Sequence, residues 1–279
     1  MRPGLGRNDS DSTPPTRRAS WVVAALVAGI ALAGLGGQSL AQSKPSAADA
    51  PPVNWNGIWV LAGSFMDKQD GTFVAAPGRA GENDEPATAE PKLKGEYLAK
   101  QIALRKAEAA GKPTNDSGAQ CIPQGMPRFW HGPYAFEILQ TPLQMNVYQE
   151  WNQQTRRIYL DGRSHNPDAD PSYNGHSIGH WQGHELLVDT AQIREDSGLG
   201  LGNAHSDQIH ITERFKQVGP DLLQVDMTVT DPKALAEPWV STYRLRRKAG
   251  MEIQEYVCDD NNRNTVDANG VTQAVIAPK

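Results

Sequence analysis

The strongest constraint on the fold is a series of short segments in which apolar and polar residues alternate. They run from residue 136 to residue 258 and are separated by turn-forming residues such as those at 152–155 and 219–221. Alternation with a period of two residues is typical of strands that bury one face, and short turns join antiparallel neighbours. No helical period interrupts the series, so the sequence predicts a mainly β protein.

The predicted strands can be placed individually. They lie at 54–61, 136–139, 145–151, 156–161, 177–181, 185–190, 210–217, 222–230, 240–247 and 252–258. Nine or ten strands in one domain most simply close into a barrel, because closure leaves no exposed strand edges. We therefore expect a single antiparallel β-barrel over residues 54–265, with a tail over residues 266–279.

One segment has helical periodicity instead. Its apolar residues recur at helical spacing: Leu93, Tyr97, Leu98, Ile102 and Leu104. Pro91 is tolerated in a first turn, and Gly-Lys-Pro at 111–113 ends the pattern. We predict one helix at about 91–110, inserted after the first strand of the barrel.

The first 41 residues have the composition of an export signal. Arg17 and Arg18 precede an apolar run of 15 residues at 21–35, and Ser-Leu-Ala at 39–41 suits a signal peptidase. Spanning a bilayer takes ~20 apolar residues, so this run is short for an anchor. We expect cleavage after residue 41, a periplasmic or secreted protein, and a flexible leader at 42–53; an uncleaved anchor is the alternative. Both the general secretory and the twin-arginine route stay open.

The net charge restricts the partners. Cleavage takes away four arginines and two aspartates, which lowers the formal net charge from −5 to −7 over the remaining 238 residues. An acidic surface repels phosphate backbones and anionic lipids. We therefore expect neither nucleic acid nor, once the signal is removed, a membrane as a partner.

Both cysteines, Cys121 and Cys258, lie in the part of the chain expected to be exported, where the compartment is oxidising. We predict that they form a disulfide, and two free buried thiols are the alternative. In the loop-entropy account, closing an interval of this length stabilises the fold by roughly 4 to 5 kcal/mol. A catalytic thiol is disfavoured because neither cysteine has a histidine or a helix start close in sequence.

The histidines carry the strongest chemical signal. All seven lie between residues 131 and 210, and six of them lie between 165 and 210. A neutral imidazole oriented by a carboxylate is a general acid or base that works near pH 7. We predict His165 and His176 as acid and base, and His205 with Asp207 as a second oriented pair.

Other groups complete this predicted site. Tyr173 or Arg163 would hold a developing oxyanion. Two or three imidazoles with one carboxylate would also make a zinc or iron site, but no H-E-x-x-H or other fixed metal spacing occurs. We therefore assign no metal ligand and expect no cofactor, with a bound metal ion as the alternative. A further alternative is that most of these histidines are solvated or cap turns.

Residues 175–179 read Gly-His-Ser-Ile-Gly, which matches the nucleophile elbow of serine hydrolases. That elbow needs a buried strand directly before the serine and a helix directly after it. Loop-forming residues at 166–171 precede Ser177, and a hairpin pattern follows it. We interpret Ser177 as a residue entering a strand.

Candidate ligand-binding residues come from the aromatic residues and their neighbours. Six tryptophans follow residue 41 and could line an apolar pocket, although core packing is the alternative for most of them. Trp130 lies in the loop 125–131 and is the best candidate for a ligand wall. We predict a substrate-binding set of Arg128, Trp130, His131 and Trp181.

Gly57-Ile58-Trp59 in the first strand resembles the G-x-W opening of the lipocalins. The resemblance implies a barrel with an internal cavity for an apolar small molecule. In lipocalins this tryptophan packs against a basic residue late in the chain. Arg244, Arg246 or Arg247 would supply that residue here.

A larger part of the chain, from about residue 120 to residue 260, resembles an uncharacterised family of exported bacterial proteins. The matching stretches lie at 125–128, 156–163, 175–179 with Trp181, 187–190, 205–207 and 231–232. The resemblance implies no firm activity. In that family positions 180 and 184 are usually not histidine, which leaves His180 and His184 out of the predicted site.

These observations predict an exported enzyme that acts on an apolar small molecule in a barrel pocket. The reaction would be an acid–base conversion of the isomerase, lyase or hydratase type, performed by His165, His176 and the pair His205 and Asp207. A non-catalytic periplasmic binding protein is the alternative. A metal-dependent hydrolase or oxygenase is the third interpretation.

Overall fold

Nine strands close into one barrel in the computed structural model. The barrel strands are β1 (Gly57–Leu61), β2 (Phe136–Thr141), β3 (Gln144–Gln149), β4 (Gln154–Tyr159), β5 (His176–Gln182), β6 (Glu185–Ala191), β7 (His210–Gly219), β8 (Leu222–Thr230) and β9 (Trp239–Arg247). Two short strands, β10 (Thr265–Val266) and β11 (Thr272–Gln273), form a separate pair. Among the residues that the structure describes, the one α-helix is α1 (Gly95–Ala109). The predicted fold class, mainly β with a single closed barrel and a helix inserted after its first strand, is confirmed.

The structure describes residues 51–64, 66–67, 90–110, 121–132, 134–200, 203–260, 265–266, 268 and 272–273. All of them lie within the compact unit Ser43–Lys279. The predicted signal at 1–41 and most of the predicted leader lie outside the described residues. Within the described part of the chain, no helix is long and apolar enough to cross a membrane.

The first and last barrel strands close the ring. β1 pairs with β2 on one side and with β9 on the other, and Trp59 is directly opposite Arg247. Trp59 is fully buried, and the Arg247 guanidinium lies 4.3 Å from the centre of its ring. Arg247 also donates hydrogen bonds to the backbone oxygens of Asn54 and Asn56. The lipocalin resemblance allowed three arginines as the basic residue that packs against this tryptophan. Arg247 is the one that does so.

The barrel is not wholly antiparallel, which corrects the prediction of a simple meander. β4 and β5 pair in parallel through two residue pairs, Ile158 with Ser177 and Tyr159 with Ile178. Parallel neighbours need a connection of about a dozen residues or more, and residues 160–175 between β4 and β5 supply it. With two residue pairs, this is the shortest junction in the barrel, since each junction of β1 has three, and the outer wall of the barrel opens beside it.

Two other boundaries differ from the predictions. The helix begins at Gly95 rather than at residue 91, because the preceding segment pairs with the β8–β9 connection: Lys94 N–H donates to Ala234 O at 2.9 Å, and Ala236 N–H donates to Lys92 O at 2.8 Å. Residues 252–257 form no strand. β1 and β9 already pair with each other, so the barrel leaves no edge on which that segment could extend the sheet.

The interior of the barrel is filled by the protein's own side chains. The 3-10 helix Arg128–His131 places Trp130 inside the ring of strands, fully buried. Its indole lies 5.4 Å from Phe136, 5.8 Å from Phe215 and 6.4 Å from Tyr243, measured between ring centroids. The segment that carries Trp130 therefore acts as an internal plug.

The predicted disulfide between Cys121 and Cys258 is confirmed. The two Cα atoms lie 5.6 Å apart, although 137 positions separate the residues in the sequence. Cys121 stands at the start of the described segment that carries the plug. The bond therefore ties the chain that follows β9 to the segment that fills the barrel.

Candidate functional site

A buried polar network links four neighbouring strands below the β4–β5 junction. The side chains of Arg156 on β4 and Glu213 on β7 are 1% and 0% exposed, and they form an ion pair with 2.9 Å between Arg156 Nη1 and Glu213 Oε1. Arg156 also donates to Ser177 Oγ on β5 at 3.1 Å and to Thr190 Oγ1 on β6 at 2.9 Å. Trp130 Nε1 donates to Glu213 Oε1 at 2.7 Å. This network supplies the contacts between β4 and β5 that two backbone pairs alone do not.

The same network includes Ser177 and shows that this residue is part of the barrel wall. The residue is fully buried on the inner face of β5, and its hydroxyl accepts from Arg156 and lies 2.9 Å from Thr190 Oγ1. A strand follows it, whereas a nucleophile elbow needs a helix. The structure thus places Ser177 in the core of the barrel wall.

A cleft opens on the outer wall beside the junction. Its volume is about 500 Å³, and it is lined by Pro123, Asn152, Gln153, Gln154, Thr155, Arg157, Tyr159, Ser172, Tyr173, Asn174, Gly175 and His176. Alternate residues of β4 are buried, so Thr155, Arg157 and Tyr159 point away from the barrel interior. The loop before β5 forms the opposite wall, where Gly175 has φ of +65° and lies against the backbone of β6. The cleft is therefore a surface site that exists because β4 and β5 separate.

The cleft combines aromatic rings with positive charge. The Arg163 guanidinium lies 3.8 Å from the centre of the Tyr159 ring, and the Arg194 guanidinium lies 4.6 Å from the centre of the Tyr173 ring. Both of these arginines also bind aspartates, Arg163 with Asp161 and Arg194 with Asp196. Arg157 differs, because no described carboxylate lies within ion-pair distance of it. An unpaired guanidinium beside two phenol rings favours a ligand with an aromatic body and an anionic group.

Three histidines and one aspartate form a hydrogen-bonded chain that ends at the cleft. His165 Nδ1 lies 2.8 Å from His176 Nδ1, and His165 Nε2 lies 2.7 Å from Asp189 Oδ1. His210 Nε2 lies 2.9 Å from the other carboxylate oxygen of Asp189. The His176 ring stacks on Tyr159 with 5.2 Å between centroids. The structure therefore brings His165 and His176 together, and their role as acid and base stays a prediction.

The proton positions in this chain follow from which atoms can donate a hydrogen bond and which can only accept one. A carboxylate only accepts, so Nε2 of both His165 and His210 must donate to Asp189. A neutral His165 then has an unprotonated Nδ1, and His176 Nδ1 must donate to it. His176 Nε2 is left as a lone-pair acceptor, and no hydrogen bond within the described part of the chain occupies it.

Burial and neighbouring charge keep His176 neutral. Partial desolvation lowers the pKa of His176 below its usual value, and the nearby His165 and Arg163 lower it further. Asp161 acts in the opposite direction. At neutral pH the ring is therefore uncharged, with Nε2 able to accept a proton or a hydrogen bond.

The structure does not bring His205 and Asp207 together, which corrects the expectation of an oriented pair. His205 Nδ1 donates to the backbone oxygen of Ser206 at 2.9 Å, and its Nε2 lies 2.9 Å from Ser197 Oγ. Asp207 is exposed and pairs with Lys233 at 2.6 Å. Burial lowers the pKa of His205. His205 therefore fastens the loop before β7 and lies apart from the cleft.

The four residues predicted to bind the substrate do not line the cleft. Trp130 is buried in the barrel core, and Trp181 packs on Trp55 with 5.1 Å between ring centroids. The His131 ring lies between Trp239 and Tyr243, and burial lowers its pKa to about 4. Arg128 lies next to Gly200 and does not line the cleft. Of the predicted site residues, Tyr173 and His176 line the cleft, and His165 and Arg163 contact residues that do.

Four residues of this region were not among those predicted for the site: Arg157, Tyr159, Asp189 and His210. Arg157 and Tyr159 alternate with buried residues on β4, so they belong to one outer face. Asp189 and His210 occupy outward positions at the ends of β6 and β7, on the same side as His176. Alternation would have placed each of them on the outer surface, but only the strand order brings them together. Within the described residues, no group of three or more His, Cys, Asp or Glu is arranged to hold a metal ion.

Comparison with known proteins identifies no sequence family. No family model matches the chain, and no curated protein matches it. One similar solved structure is a crystal structure of a mutant of the fluorescent protein UnaG, with 16% sequence identity, a TM-score of 0.31, and coverage of 70% of this chain and 96% of that chain. The strand pairing itself establishes the barrel. The resemblance to a family of exported bacterial proteins stays a prediction.

Proposed function

We propose that this protein binds a small molecule in the outer cleft between β4 and the loop before β5. The observation that carries the proposal is the cleft itself, which has a volume of about 500 Å³ and is lined by Tyr159, Tyr173 and Arg157, the last with no described carboxylate within ion-pair distance. Ligand pockets typically have volumes of roughly 300–1,000 Å³ and combine apolar walls with a few polar groups. Binding is the function that these features support without any further assumption.

The residues of the cleft define the class of ligand. Tyr159 and Tyr173 supply aromatic surface for a flat, largely apolar body. Arg163 and His176 already contact the Tyr159 ring, and Arg194 contacts that of Tyr173, so the ring edges are expected to meet the ligand. Arg157 offers a planar pair of donors that suits a carboxylate or a similar anion. The interior of the barrel is occupied by Trp130 and its aromatic neighbours, so the outer cleft replaces the expected barrel pocket as the binding site.

The proposal includes export. The signal-like composition of residues 1–41 and the disulfide between Cys121 and Cys258 support a periplasmic or secreted location. The acidic net charge of the chain would disfavour polyanions while the local Arg157 attracts a single carboxylate.

Equilibrium binding tests this proposal. Benzoate and cinnamate are titrated into the mature protein by calorimetry, and their neutral amides are titrated in parallel. We expect the acids to bind and the amides to bind more weakly. Arg157→Ala should weaken binding of the acids by about 10- to 100-fold, as expected for the loss of a charge-assisted hydrogen bond.

The matched control is Arg214→Ala, an arginine on the outer face of β7 that pairs with Glu185 and lies outside the cleft. It should leave the affinity unchanged. Equal affinity of the wild type and the Arg157→Ala variant for the acids would show that the cleft is not the binding site.

A further inference from the structure

We propose that His176 is a general base for the molecule held in the cleft, and that His165 and Asp189 take up the positive charge that this creates. The inference rests on the proposed function, because it uses the same cleft. It adds an activity, proton abstraction from a bound carbon or oxygen acid. The supporting observation is a continuous chain of hydrogen bonds from Asp189 through His165 to His176, which lines the cleft.

The chain leaves one atom available for chemistry. His176 Nδ1 is committed to His165, and the His176 ring is held against Tyr159. The unoccupied Nε2 is the basic end of the chain. In such an arrangement the outer imidazole exchanges protons with the ligand, and the inner groups fix its tautomer.

The proton balance closes within the chain. A proton leaves an acidic C–H of the ligand for His176 Nε2, and the His176 Nδ1 proton passes to His165 Nδ1. His165 becomes an imidazolium whose Nε2–H remains on Asp189, so the new positive charge lies beside a carboxylate. Reversal of these steps returns the proton at the same or a neighbouring carbon. No oxidant, reductant or other co-reactant is consumed.

This balance defines the substrate class. A carbonyl compound with an acidic neighbouring C–H would form an enolate, and Arg157 in the same cleft would stabilise its oxygen. Return of the proton at another position shifts a double bond. The reaction class is therefore a proton-transfer isomerisation of an aromatic or conjugated carbonyl compound.

The surroundings of the chain determine its dependence on pH. The titratable and charged groups that face it are Tyr159 of β4, Asp161, Arg163 and His165 of the following loop, Asp189 of β6 and His210 of β7. Arg163 and His165 oppose protonation of His176, whereas Asp161 and Asp189 favour a positive charge in the chain. Replacement of Asp189 should therefore make the base weaker.

The test uses 5-nitrobenzisoxazole, a flat aromatic probe that needs only a base. Removal of its C–H proton forms a nitrile as the N–O bond breaks, and the electrons of that bond leave on a coloured phenolate. We expect the wild-type protein to accelerate this reaction, and His176→Ala to lower the second-order rate constant by roughly 100-fold or more. The control is His184→Ala, an exposed histidine in the β5–β6 turn outside the cleft, which should not change the rate.

The pH profile of the Asp189→Asn variant distinguishes a role in proton transfer from a purely structural role. The rate at high pH should fall and the midpoint of the pH profile should move to lower pH, because the base has lost its stabilising carboxylate. A wild-type rate constant no higher than that of His176→Ala overturns the inference. If benzoate still binds in an Arg157-dependent manner, the binding function stands and only the general-base role fails; if benzoate does not bind either, both fail.

Discussion

Replacement of Glu213 by glutamine should destabilise the barrel strongly. The carboxylate neutralises Arg156 in a pair whose side chains are 0% and 1% exposed, so glutamine would leave a buried guanidinium without a counter-charge. Breaking a buried pair by removing one partner costs about 3–5 kcal/mol. The amide oxygen still accepts from Trp130 Nε1, so we expect the lower end of that range, about 3 kcal/mol.

Urea unfolding at pH 7, followed by tryptophan fluorescence, measures this change. Glu185→Gln is a matched control, because Glu185 pairs with Arg214, the residue next to Glu213, on the outer surface. Exposed pairs contribute about 0–1 kcal/mol, so the control should be nearly neutral. If Glu213→Gln lowers the free energy of unfolding by less than about 1 kcal/mol, as little as the control does, then Arg156 does not depend on the Glu213 carboxylate.

The perturbation also bears on the cleft. Arg156 joins β4 to Ser177 of β5 and Thr190 of β6, where the backbone contributes two residue pairs between β4 and β5. Loss of the counter-charge should therefore loosen the junction beside which the cleft opens. Hydrogen exchange in Glu213→Gln should accelerate first at the β4–β5 backbone.

Three other perturbations have defined outcomes. Replacing Cys121 and Cys258 by serine should lower the free energy of unfolding by about 5 kcal/mol in the loop-entropy account, measured by urea unfolding, and an unchanged midpoint would contradict it. His131 has a folded pKa of about 4, below its unfolded value, so the unfolded state binds the extra proton and stability falls as pH drops from 6.5 towards 4. The loss should reach about 3 kcal/mol, and His131→Phe should remove that part of the slope in unfolding measured against pH. Gly175→Ala should cost more than Gly183→Ala, because both have positive φ but only the Gly175 methyl would lie 2.6 Å from a backbone oxygen, that of Ala191; equal melting temperatures would contradict this.

Local patterns in the sequence were sufficient to predict the barrel. Alternation reports directly on which residues face the core, so the strands and the closed mainly β fold followed from it. The pairing of Cys121 with Cys258 required only an oxidising compartment and two cysteines. The choice of Arg247 among three arginines depended on the register between β1 and β9, which a single sequence does not reveal.

The candidate site was harder to predict because it depends on strand order. The parallel junction of β4 and β5 arises from the 160–175 connection, and the cleft exists only beside that junction. Asp189 and His165 are 24 positions apart in the sequence, and the chain contains many carboxylates that could have been chosen. The buried charge of Glu213 was visible as an acidic residue at an inward position of β7, but its partner Arg156 was not.

The position of bound benzoate distinguishes the outer cleft from the barrel interior as the binding site. Nuclear Overhauser contacts between benzoate protons and the aromatic side chains of the mature protein report that location. The cleft predicts contacts to Tyr159 and Tyr173, with none to Trp130 or Phe215. Contacts to Trp130 and Phe215 would place the ligand inside the barrel and contradict the account.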